Sequence, residues 1–113
     1  MSVRRVSLLV LRCADLERSR LFYEALGLQL NPEQHGAGSK HYSCAVGGLT
    51  LELYPLAGKS TSGLRLGLVV SGLDRAVGSL RAKGITVTAI DEASAIVADP
   101  DGHQITLEEG PAD

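Results

Sequence analysis

The chain has 113 residues, 44% of them apolar and 21% charged, with a formal net charge of −2. That length supports one compact domain with one core and excludes two independent ones, while the small net charge gives no electrostatic reason to expect nucleic acid or an anionic membrane as partner. The apolar run near the N-terminus, Leu8 to Leu11, is far shorter than a membrane span or a secretory core.

Val6 to Arg12 is rich in Val and Leu and predicts a strand. Asp15 is a good N-cap; Leu16, Phe22, Tyr23 and Leu26 then recur on one helical side until Gly27 ends the helix. Leu28 to Leu30 predicts the start of the next strand, followed by a polar loop over Asn31 to Ser39. His41 to Val46 and Leu49 to Tyr54 predict two strands joined through Gly47-Gly48, a hairpin signal. Pro55 to Gly63 is a linker rich in Pro, Gly, Ser and Thr. Arg65 to Val70 predicts a strand, and Leu73, Ala76, Val77 and Leu80 a helical stripe ended by Gly84. Ile85 to Ala89 and Ala93 to Ala98 predict two more strands. Asp99-Pro100-Asp101-Gly102 then turns the chain into a last strand, Gln104 to Glu108. Cys13 and Cys44 form no CxxC pair, so they are expected as reduced thiols packed in or near strands, in a cytoplasmic protein.

The order βαβββ occurs twice, and the sequence repeats with it. Shifted by 57 positions, LLVLRCADLERSRLFYEALGLQL lies over RLGLVVSGLDRAVGSLRAKGITV; a 54-residue shift sets Leu51-Glu52-Leu53 over Ile105-Thr106-Leu107. Two equivalent modules, residues 3–55 and 64–109, are therefore expected within a single domain spanning 1–113, with function in the space between them.

Strand alternation assigns side chains to faces. Leu51 and Leu53, Leu66 and Leu68, and Ile105 and Leu107 are expected to face helices. The opposite faces then carry Leu8, Val10, Arg12, Thr50, Glu52, Tyr54, Arg65, Gly67, Val69, Gln104, Thr106 and Glu108. Apolar walls with a few charges suit a small-molecule pocket, and suit equally a solvated sheet face.

DLERSRLFYEALGL after the first strand, LELYP near the middle and DPDGHQITLEE near the end resemble the glyoxalase, bleomycin-resistance and extradiol-dioxygenase superfamily, the vicinal oxygen chelate proteins. The resemblance runs from about Val6 to Glu108. It implies an α+β fold in which two βαβββ modules form an open, cup-shaped β-barrel, commonly as a homodimer, with modules paired within one chain or across two. In metal-dependent relatives four strands each give one ligand to a divalent ion; the matching positions here are Leu8, Glu52, Arg65 and Thr106. Leucine has no lone pair to give and arginine carries a fixed positive charge. No bound metal or other cofactor is therefore expected, and His35, His41 and His103 form no helical i, i+4 pair and no recognised metal-ligand spacing that would restore one.

An Arg65–Glu52 pair is the expected replacement, structural in role or receiving, with or without Arg12, an anionic or carbonyl-bearing ligand. Of the histidines, His103 is expected as a solvent-exposed residue of the turn. His35 and His41 read as loop or surface residues, with contact to ligand or proton transfer as the alternative; only one of His41 and Tyr42 can face the site. No nucleophile motif or phosphate-binding loop is present, and Glu52 is a weak candidate base, with Glu108 and Tyr54 weaker. The expected function is binding of a small organic molecule in the cup by Leu8, Val10, Arg12, His41, Thr50, Glu52, Tyr54, Arg65, Gly67, Thr106 and Glu108. The alternatives are an enzyme, either a lyase or isomerase resembling lactoylglutathione lyase or a dioxygenase, and a purely structural dimer.

Overall fold

The computed structural model describes residues 1–111, which divide into two units, 1–60 and 61 onward. The first unit holds β1 (Leu8–Cys13), α1 (Leu16–Ala25), β2 (Asn31–Glu33), β3 (His41–Val46) and β4 (Leu49–Pro55). Its four strands form one sheet in the order β1-β4-β3-β2. β1 is parallel to β4 and the remaining pairs are antiparallel. The β3–β4 hairpin closes through Gly47 and Gly48 with φ of 52° and 84°, the positive pair that a tight primed turn requires.

Asp15 caps α1, its carboxylate accepting from the Arg18 amide at 3.0 Å. The helix ends as its glycine predicts: Gly27 at φ 101° donates to the Glu24 carbonyl and Leu28 to that of Tyr23. Leu11, Cys13, Phe22, Tyr23, Leu30, Cys44, Leu51 and Leu53 form the buried core, with Ser19 sealed among them. Phe22 meets Tyr23 edge to face at 5.1 Å.

The second unit repeats the order with β5 (Arg65–Val70), α2 (Leu73–Ala82), β6 (Thr88–Asp91), β7 (Ser94–Ala98) and β8 (Gln104–Glu109). Its sheet runs β5-β8-β7-β6, with β5 parallel to β8. The expected alternation holds in β5, where Arg65, Gly67 and Val69 are exposed and Leu66, Leu68 and Val70 are half-buried. Leu73, Leu80, Val87, Ala95, Val97, Ile105 and Leu107 make this core. Gly84 and Ile85 close α2 onto the Arg81 and Leu80 carbonyls, reproducing the end of α1. The N-terminus differs. Gly72 stands where Asp15 caps α1, so α2 has no side-chain cap of its own; the Glu109 carboxylate reaches back from β8 and accepts from the Gly72 and Leu73 amides at 3.0 and 3.1 Å.

Two strands begin later than expected. Leu28 to Leu30 and Ile85 to Val87 are unpaired, and pairing starts at Asn31 and Thr88. In each case the helix-closing turn takes up the first backbone amide, and Leu30 or Val87 serves as a core plug instead. Pro32 is tolerated because β2 is an edge strand.

His103 is buried, contrary to the exposed position expected of it. Asp99 Oδ1 accepts from the amides of Asp101 and His103, its Oδ2 lies 2.6 Å from His103 Nδ1, and His103 Nε2 lies 2.6 Å from the Thr61 hydroxyl. Both ring nitrogens have partners, so the imidazole enters the core without an unpaired polar atom. Among the described residues no helix is long and apolar enough to cross a membrane.

Candidate functional site

Register places the expected residues of the first module side by side. Leu8, Val10 and Arg12 on β1 lie opposite Thr50, Glu52 and Tyr54 on β4. Because Ser43 pairs with Glu52, and Tyr42 with Leu53, His41 and Ser43 join this face while Tyr42 turns to the helix side. There the Tyr42 hydroxyl donates to the Glu17 carboxylate, and Arg20 lies over the ring at 5.6 Å. Glu33 then follows opposite His41. One row therefore crosses all four strands: Arg12, Tyr54, His41, Glu33.

The members of this row touch. The Arg12 guanidinium sits 5.1 Å from the centre of the Tyr54 ring and donates to the Pro55 carbonyl at 3.2 Å. The Tyr54 and His41 rings are stacked at 4.2 Å and 8°. His41 is 2% exposed, which corrects the loop-or-surface expectation for it; His35 is exposed as expected. The partners of His41 explain its burial. Its Nδ1 faces the Ser39 carbonyl at 3.1 Å, and its Nε2 faces Glu33 Oε1 at 3.2 Å, Glu52 Oε2 at 3.5 Å and the Tyr54 hydroxyl at 3.4 Å.

A carbonyl oxygen only accepts, so Nδ1 carries a proton and Nε2 is turned to the carboxylates. His41 and Glu33 also border a cavity of about 420 Å³ that extends past Pro32, Lys40 and Tyr42 to Leu16 and Glu17 at the start of α1.

In the second module, register sets Arg65, Gly67 and Val69 opposite Gln104, Thr106 and Glu108, again on one face. Arg65, Gly67 and Glu108 are exposed there and Thr106 is half-buried. Ile96 and Ser94 on β7 continue this face; no aromatic ring joins it. The chemical variety is thus concentrated on the first sheet.

Leu8 is 51% exposed and offers no donor atom, Arg65 is a cation, and Thr106 supplies one hydroxyl. Together with Glu52 they do not make a ligand set for a divalent ion. Glu33 and the Ser39 carbonyl are site groups that sequence reasoning missed. The signal was the alternation Glu33-x-His35 followed by His41 after a short Gly-containing loop.

The sequence matches the family profile described as a glyoxalase-like domain over residues 8–108. No curated protein matches the chain by sequence. Among solved structures it is similar to TnmS3, an antibiotic binding protein from Streptomyces sp. CB03234, at 25% identity, covering 98% of this chain and 99% of that one with a TM-score of 0.76. A glyoxalase/bleomycin resistance protein from the same organism is also 25% identical, over 92% of this chain and 99% of that one, with a TM-score of 0.71. Lactoylglutathione lyase from Agrobacterium tumefaciens shares the fold at 17% identity, over 97% and 96% of the two chains, with a TM-score of 0.72. With its duplicated βαβββ order and a family match across both modules, the chain belongs to the glyoxalase-like domain family of the vicinal oxygen chelate superfamily.

Proposed function

We propose that the protein binds a small, flat organic molecule on the polar face of its sheets, without a divalent ion at the four positions used by metal-dependent relatives. The observation that carries this reading is the Arg12–Tyr54–His41 stack. It is a preformed row in which Arg12 and His41 flank the Tyr54 ring, leaving ring edges and the phenol to meet a ligand, with a guanidinium at one end and carboxylates at the other. Rings held by strand pairing lose little freedom on binding, and their edges suit the face of a planar conjugated ligand in the edge-to-face contact that aromatic groups favour. An antibiotic binding protein among the similar structures supports the ligand class.

Arg65 enters the proposal as the cation of the second module, receiving an anionic or carbonyl group of the ligand. Leu8, Val10, Thr50, Gly67, Thr106 and Glu108 supply the remaining wall. The reading includes a cytoplasmic homodimer; two buried cysteines outside any disulfide accord with a reducing compartment.

Native mass spectrometry and calorimetry against a panel of planar antibiotics test the proposal. Tyr54→Ala is expected to weaken the best ligand at least tenfold, about 1.4 kcal/mol, and Arg12→Ala or Arg65→Ala to weaken an anionic one. A ligand bound equally well by the wild type and Tyr54→Ala would overturn the stacking site. Unchanged affinity in Arg65→Ala would remove that residue from it.

A further inference from the structure

Three donor side chains converge where β2, its loop and β3 meet. Glu33 and His41 are cross-strand partners, and His35 follows Glu33 by two residues, so its ring returns over His41 with 5.3 Å between centroids. The ligating atoms of Glu33, His35 and His41 all lie within 4.8 Å of one another. Glu52 adds a second carboxylate from β4, 3.5 Å from His41 Nε2.

The arrangement around His41 Nε2 is chemically lopsided. The imidazole is nine-tenths buried or more, and its Nδ1–H is committed to the Ser39 carbonyl. In the neutral ring Nε2 is a lone pair aimed between two carboxylates, groups that hold only lone pairs themselves. The Tyr54 hydroxyl at 3.4 Å offers one long hydrogen bond, which does nothing for the carboxylates. A cation at the centre satisfies every one of these atoms.

The separations measured from His41 Nε2, and that between His35 and Glu33, are close to those of a metal shell. Bonds of about 2.0–2.2 Å to nitrogen and oxygen in a tetrahedral shell put neighbouring ligand atoms roughly 3.3–3.5 Å apart. The observed separations are 3.2 Å for His41–Glu33, 3.5 Å for His41–Glu52 and 3.9 Å for the exposed His35–Glu33 pair, which a small rotation of either side chain shortens. A backbone carbonyl accepting from the far ring nitrogen is also the support that a metal-bound histidine requires.

From this geometry we propose that Glu33, His35 and His41, completed by Glu52, bind one divalent transition-metal ion of the zinc class. Two imidazoles exclude magnesium and calcium as the preferred ions, because those favour all-oxygen shells. Three of the four donors stand outside the positions that metal-dependent relatives use, so the site is a different one from the set that Leu8 and Arg65 disable. The proposal is independent of the small-molecule reading.

Chelator-treated, untagged full-length protein is titrated with Zn²⁺ by calorimetry, and with Co²⁺ by visible absorption, at pH 7.5. One ion per chain is expected, with the intense d–d bands of a tetrahedral cobalt site. His41→Ala and Glu33→Gln are expected to lower affinity about 100-fold. The exposed His35→Ala is expected to lower it at least tenfold; it leaves the core untouched and carries the test if the buried variants unfold. His103→Gln, which alters the other Asp/His cluster at Asp99, Asp101 and His103, should leave the titration unchanged.

Failure of folded wild-type protein to take up either ion overturns the proposal. So does binding indifferent to His35→Ala and Glu33→Gln. Repeating the antibiotic titrations in the presence of a chelator separates the two proposals, since ligand binding that survives there stands without the metal.

Discussion

The Asp99 carboxylate and the His103 imidazole meet at 2.6 Å with both side chains sealed from solvent, four residues apart across the turn that feeds β8. The same carboxylate holds the amides of Asp101 and His103, and the Thr61 hydroxyl closes the far side of the ring. One buried acid therefore ties the turn, its histidine and the segment leading into β5. Such a network is stabilising only while complete, because each remaining member becomes an unsatisfied buried group when one is removed. Asp99→Ala is expected to cost about 2–4 kcal/mol, read from urea unfolding at pH 7. A loss below about 0.5 kcal/mol, the range of ordinary surface changes, would show that the network does not hold the turn.

The internal repeat makes a paired prediction. Leu53 and Leu107 occupy equivalent places in β4 and β8, and both are fully buried. Truncation to Ala at either site leaves a cavity that neighbouring side chains refill only in part, so each variant should lose about 2–5 kcal/mol. Thermal unfolding followed by calorimetry checks both. If one module's truncation proves nearly silent, the equivalence of the two cores fails.

The architecture was legible because it is written in periods. Leu51 and Leu53 alternate with Glu52, Gly27 and Gly84 stop helices, and the paired glycines at 47 and 48 turn a hairpin; each depends on local backbone chemistry that a sequence carries openly. The starts of β2 and β6 were not legible, since whether Leu30 pairs as a strand or plugs a core is decided by tertiary packing. His103 was misread for a related reason. A histidine after a DPDG turn looks exposed until the Asp99 carboxylate and the Thr61 hydroxyl, 42 positions away from it, are known to receive it. The composition of the first sheet's row was half legible. Alternation supplied Arg12 and Tyr54, but the place of Glu33 depends on the β2–β3 register, which the polar loop between them conceals.

Acid titration should report on the contact between Tyr42 and Glu17. The Tyr42 hydroxyl, and after it Arg20, hold the Glu17 carboxyl below the usual carboxylate range. A group with a lowered folded pKa binds fewer protons folded than unfolded, so its contribution is present above the unfolded value and fades as pH falls through the folded one. Tyr42→Phe removes the first cause. Stability measured from about pH 5 to pH 3, the span that brackets a carboxylate near 4.3, should therefore fall less steeply in the variant than in the wild type. Superimposable slopes would remove Tyr42 as the source. The phenol is raised by the same contact, so its contribution stands below about pH 10 and is lost only at higher pH.

Thiol chemistry follows from burial. Cys13 and Cys44 are both buried thiols outside any disulfide, and desolvation pushes the Cys44 thiol up. The thiolate is the reactive species, so a thiol that is covered and raised should resist alkylation. Iodoacetamide at pH 8 is expected to leave both cysteines unmodified in native protein over the time that denatured protein reacts completely, as read by intact-mass spectrometry. Prompt modification of native protein would mean that β1 or β3 opens readily.

The two helices reach the same capped state by different means, and this gives the last test. Asp15 caps α1 from its own N-cap position, whereas α2 begins at Gly72 and borrows the Glu109 carboxylate from β8. An N-cap acceptor contributes typically about 1 kcal/mol, so Asp15→Ala and Glu109→Ala should destabilise by similar amounts in urea unfolding. Their local effects should differ. Loss of Asp15 frays only the first turn of α1, while loss of Glu109 also frees the end of β8, where its amide donates to the Ala93 carbonyl beside β7. Hydrogen exchange should therefore quicken in α1 alone for the first variant, and in both α2 and the end of β8 for the second. Exchange confined to α2 in Glu109→Ala would show that the carboxylate caps the helix without coupling it to the strand.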